Sequence, residues 1–319
     1  MVPPAKTKVI AAHDHGAIAL AVEYLIAGAL VGMPTETVYG LAADAYNATA
    51  IRAIYEVKGR PAHNPLICHV ADIAMAKRIV TVSKTAESLM HAFWPGPLTL
   101  VLPRFENEKI SDLISAELNT LAVRCPAHPV ARRVINKLGH PIAAPSANPS
   151  GKISPTSARD VLEGLEGKIP LILDGGTAGI GIESTIIGIE GDKITLLRPG
   201  TITADEISDV AGHPIFDRNS DQITAPGQLV SHYAPNALVR LNATHKSDDE
   251  VFIGFGSAKG DMTLSKNGDL KEAAHVLFAT LRAADKSGCA SIAVAPIPNV
   301  GIGIAVNDRL KRAAAPRNV

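Results

Sequence analysis

The sequence has few of the features that build disulfide-linked, membrane-spanning or nucleic-acid-binding proteins. Its three cysteines, Cys68, Cys125 and Cys289, stand far apart and include no CxxC pair, which argues against a disulfide framework and a thiolate zinc site. Lys and Arg number 31, as do Asp and Glu, and no stripe of basic and aromatic residues occurs. No run of about 18 apolar residues is present, and the first residues carry no long apolar stretch. We therefore expect a cytoplasmic protein without membrane contact and with weak or no direct binding to nucleic acid.

Common signatures of nucleotide-binding, hydrolytic and calcium-binding proteins are also missing. Gly151-Lys152 is followed by Ile153, and Ser146 stands where a Walker A loop has its first glycine, so an ordinary P-loop ATPase is not indicated. Gly254-Phe255-Gly256 lacks the third glycine of a dinucleotide-binding loop and is interpreted as a tight turn. No HExxH, GxSxG or DxDxDG string occurs, which leaves a metalloprotease, an α/β-hydrolase and an EF-hand without support.

Short apolar runs that alternate with helical patterns predict an α/β or α+β protein. We expect a larger domain over residues 1–205, a linker over 206–236 that is rich in Pro, Asp, Asn and Ser, and a small α/β domain over 237–319. An alanine- and leucine-rich run from Ala17 to Leu30 predicts a largely buried helix. Other predicted helices are Ala48–Val57, Ala71–Val80, Lys84–Phe93, Pro129–Leu138, Ser157–Leu165 and Leu270–Ala284; predicted strands are Leu66–Val70, Leu98–Leu102, Leu121–Arg124, Ile142–Ala144, Leu171–Leu173, Thr185–Ile189, Thr195–Leu197, Leu238–Leu241, Val251–Phe255 and Ser291–Ala295.

Five clusters of small, polar and cationic residues adjoin these apolar runs in the first two thirds of the chain. Strand ends followed by Gly, Ser, Thr and a cation suit phosphate, because loop N–H groups and hydroxyls point into a cleft to which Arg or Lys adds charge. Together the clusters predict one site for an anionic nucleotide. They are Met33–Gly40 (MPTETVYG), Lys58–Pro61 (KGRP), Ala144–Asn148 (APSAN), Gly175–Thr185 and Leu197–Gly200 (LRPG).

The cations of these clusters, and Arg124 beside them, have both a functional and a structural interpretation. Lys58 and Arg60 end a helical pattern, where they either face a common phosphate-binding loop or complement the helix C-terminus. Arg124 emerges from a predicted buried strand and is a candidate for holding a substrate carboxylate, with an internal salt bridge as the alternative. Arg198 is placed like Arg124, since it is also a cation at the end of a predicted strand, here followed by a rigid Pro-Gly turn.

The polar residues nearby allow two interpretations as well. Ser146 and Asn148 flank one alanine, so in an extended loop both side chains leave on the same side, where they can bind a phosphate or a metal-bound water. The same Pro-Ser-Ala-Asn-Pro string also suits a simple turn. His69 lies on the predicted strand LICHV, where chemistry alone does not separate a satisfied core group from a catalytic one.

Taken together and in this order, the motifs resemble the threonylcarbamoyl-AMP synthase family, in its long form with an extra C-terminal domain. The matching strings are PTETVYGLAADA, KGRPAHNPLICHV, FWPGPLTLVL, VRCPAHPVAR, PIAAPSANPSGKISPT, LILDGGTAGIGIESTII, LLRPGTIT, APGQLVSHYAP and GIGIAVNDRLKRAA. The resemblance implies a twisted, mainly open sheet with surrounding helices, of the YrdC-like kind, and a smaller Rossmann-like C-terminal domain. It also implies that the linker crosses the mouth of the site.

The resemblance implies a reaction in which L-threonine, bicarbonate or CO2 and ATP give threonylcarbamoyl-AMP and pyrophosphate. This is the first step towards N6-threonylcarbamoyladenosine at position 37 of tRNA, so tRNA threonylcarbamoyl-transfer proteins are implied partners. Charge stabilisation would come from Lys58, Arg60 and Arg198, with no covalent nucleophile, and Mg2+ would be held mainly by the ATP phosphates, near Ser146 and Asn148. The threonine-binding residues carried over are Thr35, His69, Thr120, Arg124 and Ser184; the ATP-binding residues are Lys58, Arg60, Asn64, Ser146, Asn148, Ser154, Arg198, His232 and Tyr233.

The residue inventory suits this chemistry. A carbamate oxygen that attacks the α-phosphorus needs no protein nucleophile, because cations and hydroxyls need only position two anions and neutralise the charge that develops. Two other classes stay open at this point, a double-stranded-RNA-binding module and a carbamoyltransferase that uses carbamoyl phosphate. Zero net charge counts against the first.

Overall fold

Two β-sheets of different size organise the computed structural model of the chain. The structure describes residues 6–105, 109–191, 193–218, 225–227 and 231–316. An 11-stranded sheet forms the larger unit and a 4-stranded sheet forms the smaller one, each packed against helices. The predicted α/β architecture, a large open sheet followed by a small second unit, is confirmed. In the part of the chain that is described, no helix combines the length and the apolar character that crossing a membrane requires.

The larger unit contains strands β1 to β11 and helices α1 to α8. The strands are β1 Lys8–Ala11, β2 Val31–Met33, β3 Gly40–Asp44, β4 Ile67–His69, β5 Leu98–Pro103, β6 Thr120–Arg124, β7 Ile142–Ala143, β8 Leu171–Asp174, β9 Thr185–Glu190, β10 Lys193–Arg198 and β11 Ile215–Asp217. The helices are α1 Ala17–Ile26, α2 Ala48–Lys58, α3 Ile73–Ala76, α4 Lys84–Phe93, α5 Asp112–Ser115, α6 Pro129–Leu138, α7 Ala158–Leu165 and α8 Ala204–Ala211.

The strand order is β1-β8-β2-β3-β7-β4-β6-β5-β9-β10-β11, and it places three polar strand ends close together. β4 and β6 run parallel, with His69 directly opposite Arg124. β5 lies between β6 and β9, and β9 pairs antiparallel with β10, whose last residue is Arg198. The register of these strands therefore brings residues from distant parts of the sequence to one region of the sheet.

Local signals fix both ends of α2, and its C-terminal end leads into the loop of Lys58 and Arg60. Asn47 begins α2, because its side chain accepts hydrogen bonds from the N–H groups of Thr49 and Ala50 at 3.0 and 3.1 Å. Gly59 ends the helix in a left-handed conformation with φ of 60°, which favours glycine. Lys58 and Arg60 therefore lie on either side of a sharp turn.

The smaller unit contains strands β12 Leu238–Arg240, β13 Glu250–Gly254, β14 Met262–Thr263 and β15 Ser291–Val294, and helices α9 Leu270–Lys286 and α10 Ile302–Ala314. Its strands form a parallel sheet with the order β12-β15-β13-β14. Its core is filled by Leu277, Phe278 and Leu281 of one helix and by Val306 and Leu310 of the other. A parallel sheet packed against helices, of which α9 crosses from β14 to β15, is the Rossmann-like arrangement that the family resemblance implies.

The larger sheet continues past residue 205, where the sequence placed the end of the first domain. Thr203 and Glu206 form a capping box that begins α8, and Ile207 is fully buried in the larger core. β11 then pairs in parallel with β10. The described part of the larger unit thus ends near Asp217, inside the range assigned to the linker, and linker residues 219–224 and 228–230 lie outside the described residues.

Candidate active site

A small, partly enclosed cavity lies on one face of the larger sheet, and nine of the fourteen residues predicted for the site line it. Its volume is about 50 Å3, and Pro226 and Gly227 of the linker also contribute to its wall. The nine residues are Thr35, Arg60, His69, Arg124, Ser146, Ser184, Arg198, His232 and Tyr233. Lys58, Asn64, Asn148 and Ser154 are buried and hold cavity residues or their loops in place, and Thr120 lies elsewhere.

Arg124 reaches the cavity while paired with an internal carboxylate. Its Nη2 donates to Glu36 Oε1 at 2.6 Å, and its Nε donates to the carbonyl of Gly96 at 3.2 Å. Burial raises the pKa of Glu36, but the charge and hydrogen bond of Arg124 outweigh it, so this pKa lies below its usual value. The internal salt bridge that the sequence left as an alternative is present, and the guanidinium nevertheless lines the cavity.

His69 faces the cavity as a neutral ring. Its Nδ1 lies 3.3 Å from the carbonyl oxygen of Ile67, and 2% of the residue is exposed. Burial, followed by the positive charge of Arg124, lowers the pKa of His69 to about 3. The imidazole therefore carries no charge near neutral pH, which suits a polar contact in the wall rather than proton uptake there.

The loop after α2 presents one guanidinium to the cavity. Arg60 donates from Nε to the Asn64 carbonyl at 3.0 Å and from Nη2 to Asn64 Oδ1 at 2.7 Å and the Pro65 carbonyl at 2.6 Å. Burial lowers the pKa of Arg60 to about 10, so the group stays charged at neutral pH. Asn64 thus acts on the cavity by orienting Arg60.

Lys58 fixes the loop that follows β7. Its ammonium donates to the carbonyls of Ser146, at 2.6 Å, and of Asn148. The Asn148 amide donates in turn to the carbonyls of Pro149 and Lys152 at 2.9 and 2.8 Å. These bonds leave Asn148 Oδ1 buried, with no hydrogen-bond partner among the described residues. Burial, and then the nearby charge of Arg60, hold the pKa of Lys58 well below its usual value.

Arg198 ties the end of β10 to the residue before β9. Its Nε and Nη2 donate to the Ser184 carbonyl at 3.1 and 3.0 Å, and Nη2 also lies 3.1 Å from Ser184 Oγ. The Thr99 hydroxyl is 2.7 Å from the same Oγ. Nη1 reaches the Pro226 carbonyl at 3.4 Å, which joins the sheet to the linker. The Ser184 hydroxyl is thereby fixed in position at the cavity wall.

One carboxylate that the sequence did not assign a role also lines the cavity. Glu183 Oε1 accepts from the Ser154 hydroxyl at 2.5 Å, and Oε2 accepts from Arg309 Nε at 3.0 Å. Arg309 belongs to α10 of the smaller unit, and sequence reasoning missed it. The signal was available, since helical spacing places this arginine between Val306 and Leu310 on the apolar face of α10.

The linker segment 225–227 covers the sheet face beside the cavity. Ala225 is fully buried in a cluster with Ile67, Val101, Ala122 and Ile186. Gly227 has a φ of 80°, and a Cβ there would lie 2.9 Å from Arg198 Cδ and 3.0 Å from Tyr233 Oη. Glycine is therefore needed for this backbone to approach the arginine so closely.

His232 and Tyr233 complete the cover and connect it to the smaller unit. The His232 N–H donates to the Arg312 carbonyl at 3.2 Å, and the two rings meet edge to face, with centroids 4.1 Å apart. Tyr233 packs against Phe278 of α9 at 5.3 Å and under the Arg309 guanidinium at 5.6 Å. Burial raises the pKa of Tyr233 to about 12 and holds that of His232 well below its usual value.

Thr120 is not brought to the cavity. It begins β6, four residues before Arg124, which places it roughly 13 Å away along the strand. Thr120, Ala122 and Arg124 alternate onto the same face, so Thr120 lies beyond the linker residue Ala225 and lines a separate hollow with Val101 and Leu197. The geometry gives no support to its predicted contact with threonine.

Buried guanidinium groups, fixed hydroxyls and a covering segment define a site for an anionic ligand. Two family models match the chain: one described as telomere recombination over residues 23–200, and one described as the C-terminal domain of threonylcarbamoyl-AMP synthase over residues 202–315. The threonylcarbamoyl-AMP synthase of Pyrococcus abyssi is 41% identical over 323 residues, with 94% of each chain covered, and that of Bacillus subtilis is 40% identical over 326 residues, with 94% and 93% covered.

A solved structure shows the same relationship in three dimensions. The crystal structure of Pyrococcus abyssi Sua5 complexed with L-threonine superposes with a TM-score of 0.88 at 38% identity, covering 97% of this chain and 98% of that one. The chain belongs to the threonylcarbamoyl-AMP synthase family, in its long two-domain form, and the resemblance noted in the sequence is confirmed.

Proposed function

We propose that the chain makes threonylcarbamoyl-AMP and pyrophosphate from L-threonine, bicarbonate or CO2, and ATP. The observation that carries this proposal is the convergence of Arg60, Arg124 and Arg198 on one cavity that Thr35 and Ser184 also line. Like charges buried together raise each other's free energy, and an anionic ligand relieves that cost. Two anions, a carbamate and a triphosphate, have to meet in such a site.

The end of the cavity near β4 and β6 suits threonine. Arg124 offers a guanidinium to its carboxylate, while the Thr35 and Ser184 hydroxyls and the neutral His69 ring offer partners for its hydroxyl and carbamate. The Thr35 hydroxyl is fixed by a 2.6 Å hydrogen bond to the Val38 carbonyl. A neutral imidazole adds no charge that would compete with Arg124.

The opposite side suits the nucleotide. Arg60, Arg198 and Ser146 reach the cavity, and Lys58, Asn64, Asn148 and Ser154 set the position of those groups and of their loops. His232 and Tyr233 close over this side. We assign Thr120 to the nucleotide rather than to threonine, because its hollow continues the same sheet face beyond Ala225, where displacement of the linker would extend the cavity.

The residues also fit Mg2+ bound with ATP. Asn148 Oδ1 is buried without a partner among the described residues, although its amide nitrogen is fully used, and it lies on the same loop as the Ser146 hydroxyl. Oxygen atoms of this kind are the ligands that Mg2+ accepts alongside phosphates and water. When bound, the ion would neutralise phosphate charge, and Ser146 and Asn148 would hold it or its waters.

The chain's residues act by position and charge. The threonine amine adds to CO2 to give a carbamate, with loss of a proton, and a carbamate oxygen then bonds to the α-phosphorus as the bond to the pyrophosphate oxygen breaks. Arg124 orients the acceptor, while Arg60 and Arg198 neutralise the charge that gathers on the departing pyrophosphate. The segments 225–227 and 232–233 exclude water, which would hydrolyse the mixed anhydride.

A labile adenylate has to be consumed soon after it forms. We propose that it supplies the threonylcarbamoyl group for adenosine 37 of tRNA through separate transfer proteins in the cytoplasm, and that the chain itself binds tRNA weakly or not at all. The balance of 31 basic and 31 acidic residues supports the last point.

Mass spectrometry of products from ATP, L-threonine and bicarbonate tests the function directly. We expect threonylcarbamoyl-AMP and pyrophosphate only when all three substrates are present. Release of phosphate instead of pyrophosphate would contradict attack at the α-phosphorus, and turnover of carbamoyl phosphate without ATP would show a carbamoyltransferase. Affinity for double-stranded RNA that falls steeply with salt would favour an RNA-binding module.

A further inference from the structure

Arg309 of the smaller unit touches three separate parts of the active site. Its Nε donates to Glu183 Oε2 at 3.0 Å, its Nη1 donates to the Pro199 carbonyl at 2.7 Å, and its guanidinium lies 5.6 Å from the centre of the Tyr233 ring. Glu183 immediately precedes Ser184, and Pro199 immediately follows Arg198. With its side chain 0% exposed, Arg309 is enclosed by these contacts.

Glu183 is an unusual residue for a cavity that takes anions. It lines the wall, 7% of it is exposed, and its charge would repel a carbamate or a phosphate at close range. Burial raises the pKa of Glu183, but the charges of Arg309 and Arg198 outweigh that effect and keep it below the usual value, so the carboxylate is ionised at neutral pH. A partner has to cancel this charge, and Arg309 is the cation in direct contact with it.

The Glu183 carboxylate also holds the Ser154 side chain in place. Because Ser154 Oγ donates to the other oxygen of Glu183 at 2.5 Å, the position of one carboxylate fixes a hydroxyl on the nucleotide side. The backbone of the same residue is held from the smaller unit too, since Arg282 Nη2 donates to the carbonyls of Ile153 and Ser154 at 3.1 and 3.2 Å. The smaller unit thus fixes one wall of the cavity as well as covering it.

We propose that Arg309 is a positioning residue for the adenylation reaction, which cancels the charge of Glu183 and holds it so that Ser154, Ser184 and Arg198 face the nucleotide. The smaller unit is by this account part of the active site. The inference rests on the proposed function, because it assigns the wall to ATP.

A structural alternative is that Arg309 only joins the two units. Lys286 provides a matched control, because its ammonium pairs with Glu163 across the same junction at 2.7 Å, with 52% of its side chain exposed and no contact with a cavity residue. A residue that only joins the units would behave in kinetics as Lys286 does, apart from any loss of stability. A residue that cancels the charge of Glu183 would instead be rescued by removing that charge.

Four variants separate these accounts: Arg309→Gln, Arg309→Lys, Lys286→Gln and the double variant Arg309→Gln with Glu183→Gln. We expect Arg309→Gln to raise the KM for ATP by about tenfold or more, since it leaves a buried carboxylate unpaired beside the phosphates. Arg309→Lys keeps the charge and should lose much less, and Lys286→Gln should match the wild type. The double variant, which carries no unpaired charge, should recover ATP affinity to within about threefold of the wild type.

Two further measurements accompany the kinetics. Calorimetry gives the affinity for ATP, and thermal unfolding gives the stability of each variant, so an effect on binding is separated from an effect on folding. If Arg309→Gln does not fold, the double variant and Arg309→Lys still decide, because neither buries an unpaired carboxylate. The proposal is overturned if the double variant has an ATP KM no lower than that of Arg309→Gln. If Arg309→Gln does not fold, the proposal is overturned by a double variant whose ATP KM is more than about tenfold above that of the wild type. An Arg309→Gln protein that matches Lys286→Gln also overturns it. A wild-type protein that makes no threonylcarbamoyl-AMP would instead refute the proposed function.

Discussion

Arg124 and Glu36 form a buried ion pair at the cavity wall, with Nη2 2.6 Å from Oε1 and only 4% and 14% of the two side chains exposed. The pair fixes the guanidinium before any ligand arrives, which reduces the entropy lost when a substrate carboxylate binds. Arg124 therefore pairs with an internal carboxylate and lines the cavity at the same time.

Arg124→Ala should mainly weaken the use of threonine. Losing a charge-assisted partner costs about 2 to 5 kcal/mol when the remaining group stays desolvated, so kcat/KM for threonine should fall more than kcat/KM for ATP. Steady-state kinetics with each substrate varied in turn measure this. Arg159→Ala, which removes an arginine 84% exposed on α7, is the control and should change neither value. Equal losses for both substrates would contradict the assignment.

Arg198→Ala should mainly impair the use of ATP, by about 2 to 5 kcal/mol in kcat/KM. Its guanidinium holds both the carbonyl and the hydroxyl of Ser184, so Arg198→Lys should keep part of the charge effect but lose the double contact. A lysine variant as active as the wild type would show that geometry at this position is unimportant.

Folding stability should fall as pH decreases below about 6.5, in part because of His69. The folded protein keeps this ring neutral down to a pKa of about 3, whereas the unfolded chain takes up a proton near pH 6.5. The unfolded state thus binds more protons between these values, and a fully buried histidine costs about 2 kcal/mol at pH 5. Urea unfolding measures the free energy of unfolding at pH 7.5 and at pH 5, and the difference between the two values should be smaller for His69→Gln than for the wild type. His13→Gln, at an 88% exposed position, is the control and should give the same difference as the wild type.

Asn148→Ala should raise the Mg2+ concentration needed for half-maximal ATP binding by about tenfold. Asn148→Asp keeps an oxygen but loses the two amide hydrogen bonds to Pro149 and Lys152, so it separates metal binding from support of the loop. If the oxygen is what matters, the aspartate variant should retain its response to Mg2+. Calorimetry with ATP at a series of Mg2+ concentrations provides the measurement, and a threonine KM that rises in step would argue for general damage to the loop.

Proteolysis should cut the apo protein between about 218 and 230, where the sequence is rich in Pro, Asp, Asn and Ser, and ATP with threonine should suppress the cut. The reason is that closed cover segments hold Pro226, Gly227, His232 and Tyr233 around the ligands. A chain that ends after residue 218 keeps β11 and should retain the larger sheet, but it should lose most synthetic activity. Full activity in that shortened chain, together with cleavage that ligands do not change, would show that the linker only connects the two units and does not cover the ligands.

Local sequence signals predicted most of the elements, because the features that begin and end them are local. The helix before Lys58 and the helix at Pro129–Leu138 were predicted to within a residue, and each ends at a glycine with positive φ. The first helix stops at Ile26 rather than Leu30, since Gly28 takes a φ of 78° before β2 begins. The extension of the larger sheet past residue 205 is of a different kind: β11 joins the sheet through pairing with β10, which no local pattern reveals.

The cavity was predicted less completely, because several of its contacts join residues far apart in sequence. Motif order was enough to group nine of the cavity residues, but it did not show that Arg124 and Glu36 pair across 88 positions. The resemblance grouped Thr120 with Arg124 at the threonine end, but it could not show that the two side chains lie roughly 13 Å apart along β6. Arg309 could be found only by asking why a charge lies on an apolar helix face.

The enclosed volume of about 50 Å3 has room for only a few water molecules, whereas a site for a small-molecule ligand usually needs about 300 Å3 or more. The cavity therefore has to widen to take ATP and threonine, and Pro226 and Gly227 are the linker residues in its wall that have to move. Turnover cannot be faster than that opening. Ala225 anchors the same segment in its apolar cluster, so tighter packing there would protect the anhydride for longer but slow each cycle.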